Sequence, residues 1–149
     1  MFRTYVLAAL IGCGSSESAP SPAPAPAAPA PPPAEVSVGP DGPADLTVPA
    51  FTVDPASADQ GKAVFDAKGC GACHQFGSKL VGPDLSGIGE RRSHQWIARM
   101  IRHPSVMVKK DPVAKQLFRE TMVEMTDQGV ADAELGPLIS FLVSHHPPK

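Results

Sequence analysis

This 149-residue chain has only three cysteines, almost no net charge over its C-terminal two-thirds, no internal repeat, and no convincing strand pattern in that part. Each absence excludes something. From Phe51 onward there are 12 Lys or Arg against 11 Asp or Glu, so no basic surface invites a nucleic-acid partner. The apolar run Tyr5 to Ile11 is far too short to span a bilayer. Without strands in period-two alternation, a sandwich, a barrel or a βαβ unit has nothing to build on. The length suggests one domain, yet 11 of the 18 prolines fall between Ser15 and Ala50 and cannot belong to a packed core. What remains is roughly a hundred residues, modest for a stable core without a staple or a bound group.

The N-terminus reads as an export signal, with Arg3 as the positive region and Tyr5 to Ile11 as the apolar run. Leu10-Ile11-Gly12-Cys13 then resembles the lipobox of bacterial lipoproteins, which implies removal of residues 1–12 and acylation of Cys13. The residue after the cysteine is Gly14, not the aspartate of an inner-membrane retention signal, which points to the outer membrane. Residues 13–50 follow as a lipidated cysteine and a Pro/Ala-rich linker. Pro20, Pro22, Pro24, Pro26 and Pro31-Pro32-Pro33 favour polyproline II. At roughly 3 Å per residue, such a spacer reaches up to about 100 Å from its anchor. The domain proper is assigned to 51–149.

Chemistry is concentrated at Cys70-Gly71-Ala72-Cys73-His74, a CxxCH sequence, the attachment signature of c-type haem. Two cysteines three apart on a tight turn can reach the two vinyl groups on one porphyrin edge. The histidine that follows can then swing under the ring to the iron. Gly69 and Gly71 give the backbone room to turn. A disulfide, half a zinc site or a thioredoxin-like dithiol would use the same pair, but no second CxxC or finger-spaced Cys/His pair is present.

From about Ala56 to His146 the chain resembles the small class I cytochrome c family. A capping box of Ser57 and Gln60 opens a helix that presents Gly61, Val64 and Phe65 on one face. In the family this helix crosses the last one where a glycine lets the backbones approach. Gly82-Pro83-Asp84-Leu85 resembles the family's GPxL loop, which implies that the Pro83 carbonyl takes the free N–H of His74. Ser93 caps a helix with Trp96, Ile97, Met100 and Ile101 on one side, stopping at His103 before Pro104. By resemblance Trp96 hydrogen-bonds a haem propionate, while a plain core tryptophan is the alternative. Asp111-Pro112 starts a further helix to about Glu120. The stretch Met125 to Val130, followed by Ala131 to Leu142, resembles the family's methionine loop and last helix. There Gly136-Pro137 predicts a kink or a late start.

The resemblance implies an all-α domain wrapped around one covalently bound haem c, with Cys70 and Cys73 as thioethers and His74 and Met125 on the iron. Met122, three residues earlier, is the alternative ligand, because the proline usual after the family's methionine is Thr126 here. Met100 and Met107 read as packing residues. His103 is the candidate for a bis-His site against its reading as a helix-ending side chain, and His145 and His146 read as solvated.

Histidine and methionine together leave iron no open position, so the expected function is single-electron transfer between redox proteins of the cell envelope, not enzymatic turnover. Lys68 and Lys79, near the expected haem edge, either steer an acidic partner or are simply solvated. The chain is expected to be monomeric, on the periplasmic side, lipid-anchored through Cys13, and preferentially on the outer membrane. Two alternatives remain: a haem sensor or peroxidase-like enzyme with a displaceable sixth ligand, and a fixed subunit through which electrons enter a larger oxidoreductase.

Overall fold

The computed structural model describes residues 41–146. The export signal, Cys13 and most of the Pro/Ala-rich linker lie outside them. The described chain is all-helical: α1 (Ala58–Ala67), α2 (Ile88–Arg91), α3 (His94–Arg102), α4 (Pro104–Lys110), α5 (Pro112–Thr121) and α6 (Asp132–Val143), with short 3₁₀ turns at Pro55–Ser57 and Cys70–Ala72. No described helix is long and apolar enough to cross a membrane.

The frame is the crossing of α1 and α6. A Cβ placed on Gly61 would lie 1.9 Å from the Pro137 carbonyl oxygen, so only glycine lets the two backbones come this close. Phe65 and Phe141 pack across the crossing with ring centroids 5.4 Å apart, and Phe76 closes an aromatic cluster with both. Leu135, Leu138 and Ile139 of α6 are completely buried with Met107 of α4 and Val130.

Helix α1 starts where expected, but by a different device. Ser57 does not cap it; its hydroxyl donates to the Asp54 carbonyl at 2.7 Å and lies 3.1 Å from Ser140 Oγ, while Gln60 is exposed. Asp54 instead caps the preceding 3₁₀ turn, accepting from Ala56 N at 2.9 Å. An aspartate cap one turn upstream leaves the serine free to tie the helix start to α6.

Helix α6 does not start late: it runs from Asp132 through Pro137 to Val143. Pro137 is the sixth helical residue, past the unpaired first turn, so it removes one internal hydrogen bond, the one to the Ala133 carbonyl, and the helix continues through it. Gly136 beside it faces Thr52, whose carbonyl oxygen would be 2.5 Å from an added Cβ. Two tight backbone contacts thus sit on consecutive residues, Gly136 against the N-terminal segment and Pro137 against Gly61. Glu134 reaches back to accept from Ala131 N at 2.7 Å, supplying half of a capping box.

Ser93 caps α3 as expected, with Trp96 N to Oγ at 3.1 Å. The chain breaks at His103 (φ −137°, ψ 49°), kept out of the helical region by Pro104, and Pro104 then opens α4, a helix that the sequence pattern did not show. Asp111 is buried, caps α5 by accepting from Ala114 N at 2.8 Å, and follows directly on α4.

The boundary at residue 50 also moves. Residues 41–50 do not belong to a free spacer: Leu46 and Val48 pack on the core, Arg99 donates to the carbonyls of Leu46 (2.8 Å) and Asp41, and Lys110 pairs with Asp45. Proline-rich composition hid these few apolar and acidic anchors.

Candidate haem site

Cys70 and Cys73 stand on the 3₁₀ turn that leaves α1. Gly69 supplies the reversal with φ 69°, and the amides of Cys73 and His74 both bond to the Cys70 carbonyl, at 3.2 and 3.0 Å. Cys73 is exposed and Cys70 half-buried, and the two form no disulfide. Among the described residues no group of three or more His, Cys, Asp or Glu converges as metal ligands, so the pair has no partners for a zinc site.

The loop Gly82 to Leu85 docks on the motif through three hydrogen bonds. Gly82 N donates to Cys73 O at 2.8 Å, Leu85 N to Gln75 O at 3.0 Å, and between them His74 Nδ1 lies 3.0 Å from Pro83 O. A carbonyl only accepts, so Nδ1 carries the proton and Nε2 keeps its lone pair for a metal. A Cβ on Gly82 would sit 2.5 Å from His74 Cε1, which makes this glycine part of the imidazole's seat. Asp84 stabilises the loop by accepting from Gly77 N and Ser86 N, each at 2.8 Å. Those amides hold its carboxyl below the ordinary aspartate value.

His74 opens into a cavity of about 340 Å³ bounded by helices α3 and α5 and by the segment after α5. Cys70, Cys73, Trp96, Met100 and Met125 stand on its wall. Met122 does not: it ends α5 in the left-handed conformation (φ 55°) with 75% of its surface exposed. Met107 is fully buried, a packing residue as read, whereas Met100 borders the cavity. His103 lies away from it, with Nε2 3.0 Å from Thr47 O. His146 is exposed and pairs with Glu90 at 3.0 Å. His145, in contrast to the solvated reading, is half-buried and stacked on Phe76 with centroids 3.8 Å apart, and its Nδ1 is 2.9 Å from the Phe141 carbonyl. Pro147 and Pro148 just beyond it made the histidine look like tail, when it ends the aromatic cluster.

Two observations test the fit of a haem. The cavity adjoins both cysteines and the lone pair of His74 and has a mainly apolar wall. Trp96 is 3% exposed, and its Nε1 is the buried side-chain donor without a partner among the described residues. An orphaned buried N–H at the cavity wall requires an acceptor that the polypeptide does not supply. A haem propionate is such an acceptor. Arg92 adds positive charge beside it, its guanidinium 5.2 Å from the Trp96 ring centroid. Burial, and then neighbouring Arg91, lower the Arg92 pKa, against the opposing effect of Asp111.

Comparison with known proteins agrees. Residues 58–146 match the family model of cytochrome c. Over 44 residues the chain is 39% identical to cytochrome c-551 of Stutzerimonas stutzeri, a match that spans 30% of this chain and 42% of that relative. Its fold is similar to that of a cytochrome c from Rhodothermus marinus, with a TM-score of 0.59 and 29% identity over 70% of this chain and 89% of the other. An engineered cytochrome c from Rhodothermus marinus aligns with a TM-score of 0.58 and 28% identity, over 70% and 90% of the two chains. The chain therefore belongs to the cytochrome c family, as a small class I c-type member whose cofactor is one covalently attached haem c, a family known for haem-based electron transfer.

Proposed function

We propose that this chain is a monohaem electron carrier, not an enzyme, in which Cys70 and Cys73 bind the haem covalently and His74 and Met125 are the axial ligands. The observation that carries the reading is the pairing of His74 with Met125 on the wall of one cavity, His74 with Nδ1 committed to Pro83 and Nε2 free. Bound there, the haem supplies a one-electron ferric/ferrous couple.

The chain's own residues set how that couple behaves. Pro83 fixes the tautomer and ring plane of His74, so the donor atom is held in one orientation. The thioether of Met125 is a soft ligand, and with the apolar wall it favours the less charged reduced state and raises the potential. With His74 and Met125 both holding the iron, no position would be left for oxygen or peroxide, which would separate a carrier from a sensor or peroxidase. Trp96 Nε1 and Arg92 offer a hydrogen bond and positive charge for a propionate.

The setting extends the reading. The lipobox-like Leu10 to Cys13 and the Pro/Ala-rich spacer support a lipid-tethered protein on the periplasmic side of the envelope, with the outer membrane preferred. Its partners would be other redox proteins, met one at a time by a monomer on a long tether. CO added to the ferrous holoprotein tests the carrier reading: a six-coordinate carrier ignores it, and rapid stoichiometric binding would indicate sensing or catalysis. Replacing Cys13 with serine tests the tether, since unchanged membrane association would contradict it.

A further inference from the structure

The segment that carries Met125 has little structure of its own. Residues 122–131 form neither helix nor strand, and their mutual hydrogen bonds are short-range, such as Gln128 Nε2 to Thr126 Oγ1 at 2.6 Å and Gly129 N to Asp127 Oδ1 at 2.9 Å. From Glu120 to Val130, the hydrogen bonds that reach this stretch from distant parts of the described chain come from three cations: Lys79 to Glu120 O at 3.0 Å, Lys68 to Gly129 O at 2.8 Å, and Arg102 to Val130 O. Arg102 is anchored on α3 and pairs with Asp132. The two lysines come from the opposite half of the site: Lys68 lies two residues before Cys70 and Lys79 five after His74.

Lys68 and Lys79 therefore bridge from the CxxCH side of the cavity to the methionine side, one at each end of the Met125 segment. Lys68 is the stronger bridge, because its Nζ also pairs with Glu134 at 2.8 Å and Glu134 accepts from Ala131 N. Lys79 meets a carbonyl in the last turn of α5, where helical carbonyls lack internal partners. Both lysines, of which Lys79 is exposed, thus make a contact with the backbone that neither reading of the sequence, steering a partner or simple solvation, includes.

We propose that Lys68 and Lys79 are positioning residues that hold the Met125 segment closed and so set how readily Met125 leaves the iron to an exogenous ligand. The proposal rests on the axial assignment above. Each bridge is a hydrogen bond from a charged donor, so losing both should shift the closed-to-open balance by about tenfold. The lysines need not touch the iron to do this; they act through the backbone at Glu120 and Gly129.

The test is imidazole binding to the ferric, full-length holoprotein in Lys68→Ala, Lys79→Ala, the double variant, a Lys68→Arg/Lys79→Arg double, and Met125→Ala. The expected result is a roughly tenfold gain in imidazole affinity in the double alanine variant, smaller gains in the singles, and recovery in the arginine pair, which restores donor and charge. Unchanged affinity in the double alanine variant overturns the proposal, as does a lowered melting temperature without a change in affinity, the signature of a merely structural role. If Met125→Ala binds imidazole no better than the wild type, the axial assignment itself is wrong and the proposal falls with it.

Discussion

The Gly61 Cα and the Pro137 carbonyl meet at the crossing of α1 and α6 with no room for a methyl group between them: a Cβ would lie 1.9 Å from the oxygen and 2.7 Å from Phe141 Cβ. Gly61→Ala would gain up to about 1 kcal/mol in helix propensity, but the clash is with backbone and cannot be relieved by a rotamer change. We expect a net loss of about 3 kcal/mol or more in urea unfolding of the holoprotein. A change below about 1 kcal/mol would mean that the crossing is looser than described.

At Met122 the direction reverses. This residue holds φ 55° at the end of α5 with its side chain in solvent, a conformation that costs an L-residue about 1–2 kcal/mol and a glycine almost nothing. Met122→Gly should raise stability by about 0.5–1 kcal/mol, after the extra unfolded-chain entropy of glycine is deducted, and leave the haem spectrum untouched. Loss of the thioether-to-iron band in this variant would transfer the ligand role from Met125 to Met122.

Trp96→Phe distinguishes two states of the orphaned indole N–H. If a propionate accepts from Nε1, the substitution removes a hydrogen bond to a charged group and should destabilise the holoprotein by about 1.5–3 kcal/mol. If the donor has no partner, removing it relieves a desolvation penalty, and thermal unfolding would show a neutral or stabilising effect.

Acid stability follows from Asp84 and Glu134. The Asp84 carboxyl is held below its ordinary pKa by the amides of Ser86 and Gly77, and the Glu134 carboxyl by the Lys68 ammonium and then Ala131 N. A carboxylate whose folded pKa is depressed contributes its full stabilisation above the unfolded value and loses it as pH falls through the folded one. Stability should therefore decline below about pH 4.5, the upper end of the unfolded carboxylate range. Asp84→Asn and Glu134→Gln should each flatten that decline in melting temperature against pH; unaltered slopes would contradict the assignment.

Much of this was legible in the sequence because the decisive features are local. CxxCH and Gly82-Pro83 are short motifs whose spacing fixes the geometry, and His74 meets Pro83 as they imply. Ser93 and Asp111 cap the helices they precede. The misses lie where distant parts of the chain decide. Ser57 bonds toward Ser140 in place of its own helix, residues 41–50 are ordered by Arg99 and Lys110 from α3 and α4, and His145 is drawn into a ring cluster by Phe76. The seven residues of α4, confined between Pro104 and Asp111, gave too short a periodic pattern to read. The sequence preferred Met125 over Met122, and the cavity supports that preference, since Met125 lines its wall and Met122 does not.

The central claim is that one iron is held between His74 and Met125, and the absorption spectrum of the ferric holoprotein with its Met125→Ala and Met122→Ala variants tests it most directly. The account predicts a low-spin wild type with a thioether-to-iron band that is lost in Met125→Ala and kept in Met122→Ala. A high-spin wild type, or a band that survives Met125→Ala, would contradict it.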